Sequence, residues 1–363
     1  MELPSGRVDR LDAVLDAESV AAVWFARPNT FAWLTGGDNV VDRTAETGVA
    51  AAGYDGDEVT VLTSNIEADR LRAEELPDSV AVQSFEWYDS TLAEAVAAES
   101  PTPAAADFDV PGFTQLSGAT VRQPLADGDT ERYRSLGETV AGSVEELCRS
   151  VAPETTERAA AAQLRGRLAE QGVETPVVLV GGGQRAPAYR HLTPTETAIG
   201  EYAIVSVTAQ RWGLFASCSR TVAFDPPSWL EERQTAAARV EATALATTRA
   251  AGTSGGDAGA VFEAIRAAYD AVGWSGEWRN HHQGGAAGFA GREWIATPGG
   301  EEAVTLPMAY AWNPTVEGAK SEDTVLVTEG GYERLTAGEW PTETVTAVGS
   351  DEQFERPTVL DCG

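Results

Sequence analysis

Short apolar runs at 21–25, 49–53, 59–63, 80–85 and 104–108 alternate with stretches of helical spacing over the first part of the chain. That pattern predicts strands joined by short helices. Asn65 is placed to cap a helix that carries Ile66, Leu71 and Leu76 and ends at Pro77, and a further helix is expected over 92–98. A segment rich in Pro, Gly and Asp (123–129) then leads into a different pattern. Leu136, Val140, Val144, Leu147 and Val151 form the stripe of one long amphipathic helix, which Pro153 stops. A second helix over 157–171 ends at Gly172. Beyond it come a strand at 177–180, a glycine turn at Gly181-Gly182-Gly183, and a hairpin of 203–209 and 214–224. Ala-rich helices over 229–251 and 256–272 and a closing strand pattern, clearest at 324–328, complete the reading. Helix pairs alternating with antiparallel hairpins point to an α+β protein rather than a doubly wound sheet. The triple glycine lacks the Lys-Ser/Thr of a phosphate loop, so it is read as a turn.

Composition narrows the partners. Of the 363 residues 43% are apolar and 23% charged, which suits a globular chain. The net charge of −30 is extreme, and Lys320 is the single lysine. Acidic excess with lysine depletion suits a protein of concentrated salt, where charges are screened within about 3 Å. A halophilic, cytoplasmic protein is expected. Neither a phosphate backbone nor an anionic membrane would attract such a surface, so nucleic acid and membrane are excluded as partners. No apolar run approaches a membrane span, and the N-terminus has no basic region followed by an apolar core. Cys148, Cys218 and Cys362 have no ligand spacing, and Cys148 and Cys218 read as buried small hydrophobes of a reduced compartment.

The candidate chemistry is concentrated. All three histidines fall in Tyr189-Arg190-His191-Leu192 and Asn280-His281-His282-Gln283-Gly284-Gly285. Imidazole titrates near neutrality and is the commonest metal ligand, so these segments are expected to share a site.

Residues 131–338 resemble the pita-bread fold of the creatinase, aminopeptidase P, prolidase and methionine aminopeptidase family. Arg220-Thr221 is similar to the "T-R-T" that closes the family's first metal hairpin. Lys320-Ser321-Glu322-Asp323-Thr324-Val325-Leu326-Val327-Thr328-Glu329 is similar to its "R-I-E-D-T-V-L-V-T-E" strand. Asn29-Thr30-Phe31-Ala32-Trp33-Leu34-Thr35-Gly36-Gly37 looks like the "N-x-x-Y-L-T-G" strand end of the smaller N-terminal domain in two-domain members. The resemblance implies a creatinase-type α/β domain over 1–125, a pita-bread catalytic-like domain over 126–350, and a C-terminal tail over 351–363. It also implies a homodimer.

The family's peptidases hold two divalent metals with two Asp, one His and two Glu. Those positions fall on Ser206, Ser217, His282, Asn313 and Glu322, so three of the five ligands are replaced. Neutral Ser and Asn bring oxygens but no charge, whereas a dinuclear centre must offset about four positive charges. No metal site and no cofactor are therefore expected; a single Mn, Co or Zn ion on His282 and Glu322 is the alternative.

Creatinase is a metal-free member of the fold, with its proton-transferring histidine at the position of His191. The leading expectation is thus a metal-independent hydrolase of a small amide, short peptide or guanidino compound. His191 is its general base, His282 and Glu322 bind or polarise the substrate, and Arg292 in Gly291-Arg292-Glu293 holds a substrate carboxylate. Ser206, Ser217 and Asn313 line the same cleft, and Arg27 is a candidate from a neighbouring subunit. Two alternatives stand beside it: a non-catalytic binder that uses the old cleft, and a metallo-aminopeptidase with an atypical site. Blander readings are a hydrogen-bonded His191 at a strand end, a structural His281, and a surface ion pair between Arg292 and Glu293.

Overall fold

The computed structural model describes residues 5–363, and the chain divides into two compact units, one ending at Gly128 and the other spanning Asp129–Gly363.

In the first unit, a mixed six-stranded sheet runs in the order 81–85, 59–64, 50–54, 22–25, 104–106, 114–115 among the described residues. Strand Ala22–Phe25 lies near the middle, antiparallel to Ala50–Tyr54 and parallel to Ala104–Ala106. It is buried along its whole length, which accounts for its unbroken apolar run. Trp24 packs flat over Gly53, where an added Cβ would come within 2.6 Å of the indole. Helix Leu92–Glu99 is started by a capping box of Thr91 and Glu94, a device that adds about 1 kcal/mol.

Two expectations for this unit are corrected. Asn65 caps no helix: its backbone N–H donates to Phe85 O and its side chain to Glu86, tying two strands, while Glu67 precedes the short helical turns Ala68–Arg70 and Leu71–Glu75. Residues 29–37 form no strand end. They lie in helix Pro28–Thr35, which starts on a proline and is closed by Gly36 at φ 80°. A run of Phe, Trp and Leu suits either a strand or a fully buried helix, and period alone does not separate them.

The second unit places two four-stranded sheets among its helices. The first sheet orders its strands 359–361, 214–223, 202–211, 174–182, and the second 284–287, 308–312, 323–328, 331–334. Helices Asp127–Ser150, Glu157–Glu170, Leu230–Ser254 and Ala258–Ala271 stand where four helices were expected, and in the first of them Leu136, Val140, Val144 and Leu147 of the apolar stripe are fully buried. Mixed helices and largely antiparallel sheets make this an α+β protein, as expected.

Here, too, the structure departs from the sequence reading. Strand Glu174–Gly182 runs through the first two glycines of the expected turn. Gly181 and Gly182 are needed for close approach: a Cβ would press to 2.5 Å from Leu192 and 2.4 Å from the Ile199 carbonyl. Residues 351–363 are not a tail. Gln353–Pro357 pairs with Thr342–Thr346, and Val359–Asp361 adds a parallel edge strand beside Thr221–Ala223. Cys148 and Cys218 are buried, as read, and no described helix is long and apolar enough to cross a membrane.

Candidate active site

The site begins with a two-residue turn. Strands Tyr202–Arg211 and Leu214–Ala223 are joined by Trp212 and Gly213, both at positive φ (56° and 77°), the sense of twist that suits a tight hairpin. Tryptophan is an unusual residue for that conformation, and the Arg211 guanidinium stacks on its ring at 4.1 Å. The turn fixes the register, and the register sets Ser206 opposite Ser219 and Thr208 opposite Ser217. Across the hairpin the hydroxyls meet: Ser206 Oγ and Ser219 Oγ are 2.7 Å apart, and Thr208 Oγ1 and Ser217 Oγ are 2.9 Å apart.

The second sheet is stitched to this hairpin along a single seam. Ser217 N–H donates to Thr324 Oγ1, Thr324 Oγ1 donates to the Ser217 carbonyl, and Ser219 N–H donates to the Glu322 carbonyl. Glu322 therefore arrives beside the serines. Its side chain accepts from Ser219 Oγ (2.7 Å), Arg292 Nη2 (3.0 Å) and Lys320 Nζ (2.8 Å). Burial alone would raise the Glu322 pKa, but the charges of Lys320 and Arg292 and the bonds from Lys320 and Ser219 outweigh it and hold the carboxyl at about 2.

The imidazoles come from two loops. Gly284 (φ 95°) and Gly285 let strand Gly284–Ala287 approach its neighbour, since a Cβ on either would reach within about 2.2 Å of a backbone oxygen. Gln283, fully buried, anchors the preceding loop by donating to the His281 and Trp278 carbonyls and accepting from Tyr269 OH. Asn313 N–H donates to the Gln283 carbonyl, which brings the Trp312-Asn313-Pro314 turn alongside His282. The His281 and His282 rings are stacked, with centroids 4.4 Å apart, and His191 sits 5.0 and 6.0 Å from them. His281 is pulled down to about pKa 2 by burial first, then by the Lys320 charge; His282 is lowered to about 4 by burial, Arg292 and Lys320. Both are neutral imidazoles at neutral pH.

These groups line one cleft of about 280 Å³ that includes His191, His281, His282, Ser206, Arg292, Asn313, Lys320 and Glu322. Ser217 reaches it through Thr208 and through a 3.4 Å contact with Arg292 Nη1. The sequence-derived candidates in this unit are thus brought together. Arg27 belongs to the first unit, where Nε donates to the Asp107 carbonyl and Nη2 meets Glu46 at 3.3 Å in a separate concavity. Arg292 makes an ion pair with Glu322 at the cleft.

Lys320 is the residue sequence reasoning missed as a site residue, although its being the only lysine was a usable signal. Ser219 and Thr208 were missed because only the hairpin register reveals them. Several buried atoms aimed at the cleft have no hydrogen-bond partner: both ring nitrogens of His281, Asn313 Oδ1 and Arg292 Nε. Because these atoms border an open cleft, a ligand or water can meet them there.

Two divalent ions do not fit this donor set. Of the five positions only His282 and Glu322 keep a charged or imidazole ligand, and both Glu322 oxygens are engaged by side-chain cations. Another dication there would meet Lys320 and Arg292 head-on.

The metallopeptidase family M24 model matches residues 131–329, more than half of the chain. The prolidase of Pyrococcus horikoshii OT3 superposes with a TM-score of 0.71 at 18% identity, covering 92% of this chain and 98% of that one. The dipeptidase PepE of Mycobacterium ulcerans gives 0.72 at 19% identity, with 92% and 95% covered. The N-terminal domain of the FACT complex subunit SPT16 from Cicer arietinum (chickpea) gives 0.63 at 12% identity, with 91% and 95% covered. No curated protein sequence matches significantly. The expected pita-bread fold with its N-terminal α/β domain is therefore present, and the chain belongs to metallopeptidase family M24.

Proposed function

We propose that this protein is a metal-independent member of its family that acts on a small amide or short peptide bearing a carboxylate. One observation carries the reading: the Glu322 carboxylate, which would hold metal ions, is compensated instead by Lys320 and Arg292. The two cations remain at the cleft wall, where they suit a substrate carboxylate and the negative charge that develops on an attacked carbonyl. Glu322 acts through them by fixing their position. His191, the exposed imidazole of the three, accepts the proton of an attacking water, while neutral His282 offers a hydrogen bond to the bound amide. The charge and lysine depletion support work in concentrated salt, and a homodimer is the proposed assembly.

The test is turnover of Xaa-Pro dipeptides and small guanidino or amide compounds in molar KCl, with and without chelator. Turnover that chelator leaves unchanged and that His191→Ala lowers by about 10²–10⁴-fold supports the proposal; turnover restored only by added metal overturns it.

A second reading is a non-catalytic binding protein. The three replaced ligand positions favour it. Tight binding of such compounds without any turnover would establish it in place of the first.

A further inference from the structure

We propose that His191, His281 and His282 form a site for a single transition-metal ion of the zinc, cobalt, nickel or copper class, sharing only His282 with the dinuclear positions of the family.

Each ring offers one nitrogen, and the three nitrogens lie within 4.8 Å of one another. His281 is buried, with 8% of its surface exposed, and neither ring nitrogen has a hydrogen-bond partner. A buried imidazole with both nitrogens unmet is costly unless something meets them. Three imidazoles with an open fourth position are a complete set for an ion of this class, and they need no carboxylate. Metal–nitrogen bonds of about 2.0–2.1 Å in a tetrahedron place the nitrogens about 3.3 Å apart. The cluster must therefore tighten by roughly 1.5 Å, and exposed His191 on the irregular segment after strand Glu174–Gly182 has the room to rotate inward.

The surrounding charge sets the selectivity. Glu322 is taken by Lys320 and Arg292, so no free carboxylate faces the cluster from that side. Magnesium, calcium and manganese, which seek oxygen and negative charge, are disfavoured most, whereas for ions that seek imidazole the bonds to three neutral rings offset the repulsion of Lys320 and Arg292. The cations also favour an anionic fourth ligand such as hydroxide or chloride. Of the family's ligand positions, Ser206, Ser217, Asn313 and Glu322 contribute nothing to this site. A bound ion would take the lone pair that His191 needs as a base, so loading would silence the activity proposed above. The binding itself is independent of that reading.

The experiment is a titration of untagged, chelator-treated protein with Co²⁺ and Zn²⁺, followed by calorimetry and by the visible absorption of Co²⁺. The expected result is one ion per chain, displaced by Zn²⁺ but not by Mg²⁺, with affinity weakened about tenfold or more by His191→Ala, His281→Ala or His282→Ala. Ser206→Ala and Ser217→Ala should bind as the wild type does. Because His281→Ala removes a buried ring, pulsed EPR on the wild type loaded with Cu²⁺ provides a count that does not depend on any variant, and three coupled imidazoles are expected. Two ions per chain, undiminished binding in His191→Ala, binding weaker than millimolar, or fewer than three coupled imidazoles would each overturn the proposal. Inhibition of turnover by the ion tests the catalytic reading separately.

Discussion

Glu322 and Asp323 are neighbours in sequence, yet they face opposite sides of the same strand and live in different chemistry. Asp323 points into the core, fully buried, where Oδ1 accepts from Arg220 Nη1 (3.0 Å) and Thr336 Oγ1 (2.7 Å). Its other oxygen faces Arg334 and Arg356 at 3.9 and 3.8 Å, and Arg356 also pairs with buried Glu241. Glu322 points into the cleft, where its partners Lys320 and Arg292 still border space that a small molecule can enter. Both carboxylates are matched by arginine, but one set of charges is closed upon itself and the other is left facing a ligand. The pairing of charges, then, does not mark a functional site; the accessible space beside them does.

The largest effect that tests this contrast lies on the closed side. Asp323→Ala strands the Arg220 guanidinium in the core and should cost about 3–5 kcal/mol in denaturant unfolding. Glu322→Gln should cost less, about 2 kcal/mol, because water in the cleft can solvate Lys320 and Arg292. If the order were reversed, the distinction between closed and open faces would fail.

A pH titration sharpens the comparison further. His281 and His282 have folded pKa values below the ordinary 6.5, so the unfolded chain binds more protons as pH falls. Stability from these imidazoles is complete above about pH 6.5 and is lost below it, at up to about 1.4 kcal/mol per pH unit for each ring. Glu322, held at about 2, contributes stability above the ordinary carboxylate range that is lost only as pH falls from about 4.5 toward 2. Between pH 6.5 and 5 the unfolded chain takes up protons on these two imidazoles while the folded rings stay neutral. His282→Gln should therefore flatten the unfolding free energy in that window, and an unchanged slope would show that the ring is not held neutral.

The smallest effect belongs to the hairpin hydroxyls. Ser206→Ala removes one side of a 2.7 Å contact with Ser219, whose hydroxyl keeps Glu322 as a partner. A loss of about 1 kcal/mol or less is expected from thermal unfolding. A loss of several kcal/mol would mean that the pair supports the seam between the sheets.

Much of this was legible in the chain. The stripe from Leu136 to Leu147 gave the long helix, the 320–329 segment gave the family strand, and the spacing before Arg220 placed Ser206 and Ser217 together. The helix at Pro28–Thr35 is not legible, because a buried helix and a buried strand both appear as an apolar run. Gly181 and Gly182 read as a turn in the sequence because close approach of Leu192 and Ile199 leaves no local signature.

The sequence alone determined the fold family and the unusual charge, because each depends on residue identity and order. Tertiary structure decided what the remaining residues can do. Lys320 lies two residues before Glu322 in the chain, but Arg292 joins them, and Ser219 meets Ser206, only through register and sheet contact. His191 comes within 5.0 Å of His281 although ninety residues of chain separate them. Hydrogen bonds and Coulomb forces act across a few ångströms of space, and that proximity is set by folding rather than by position along the chain.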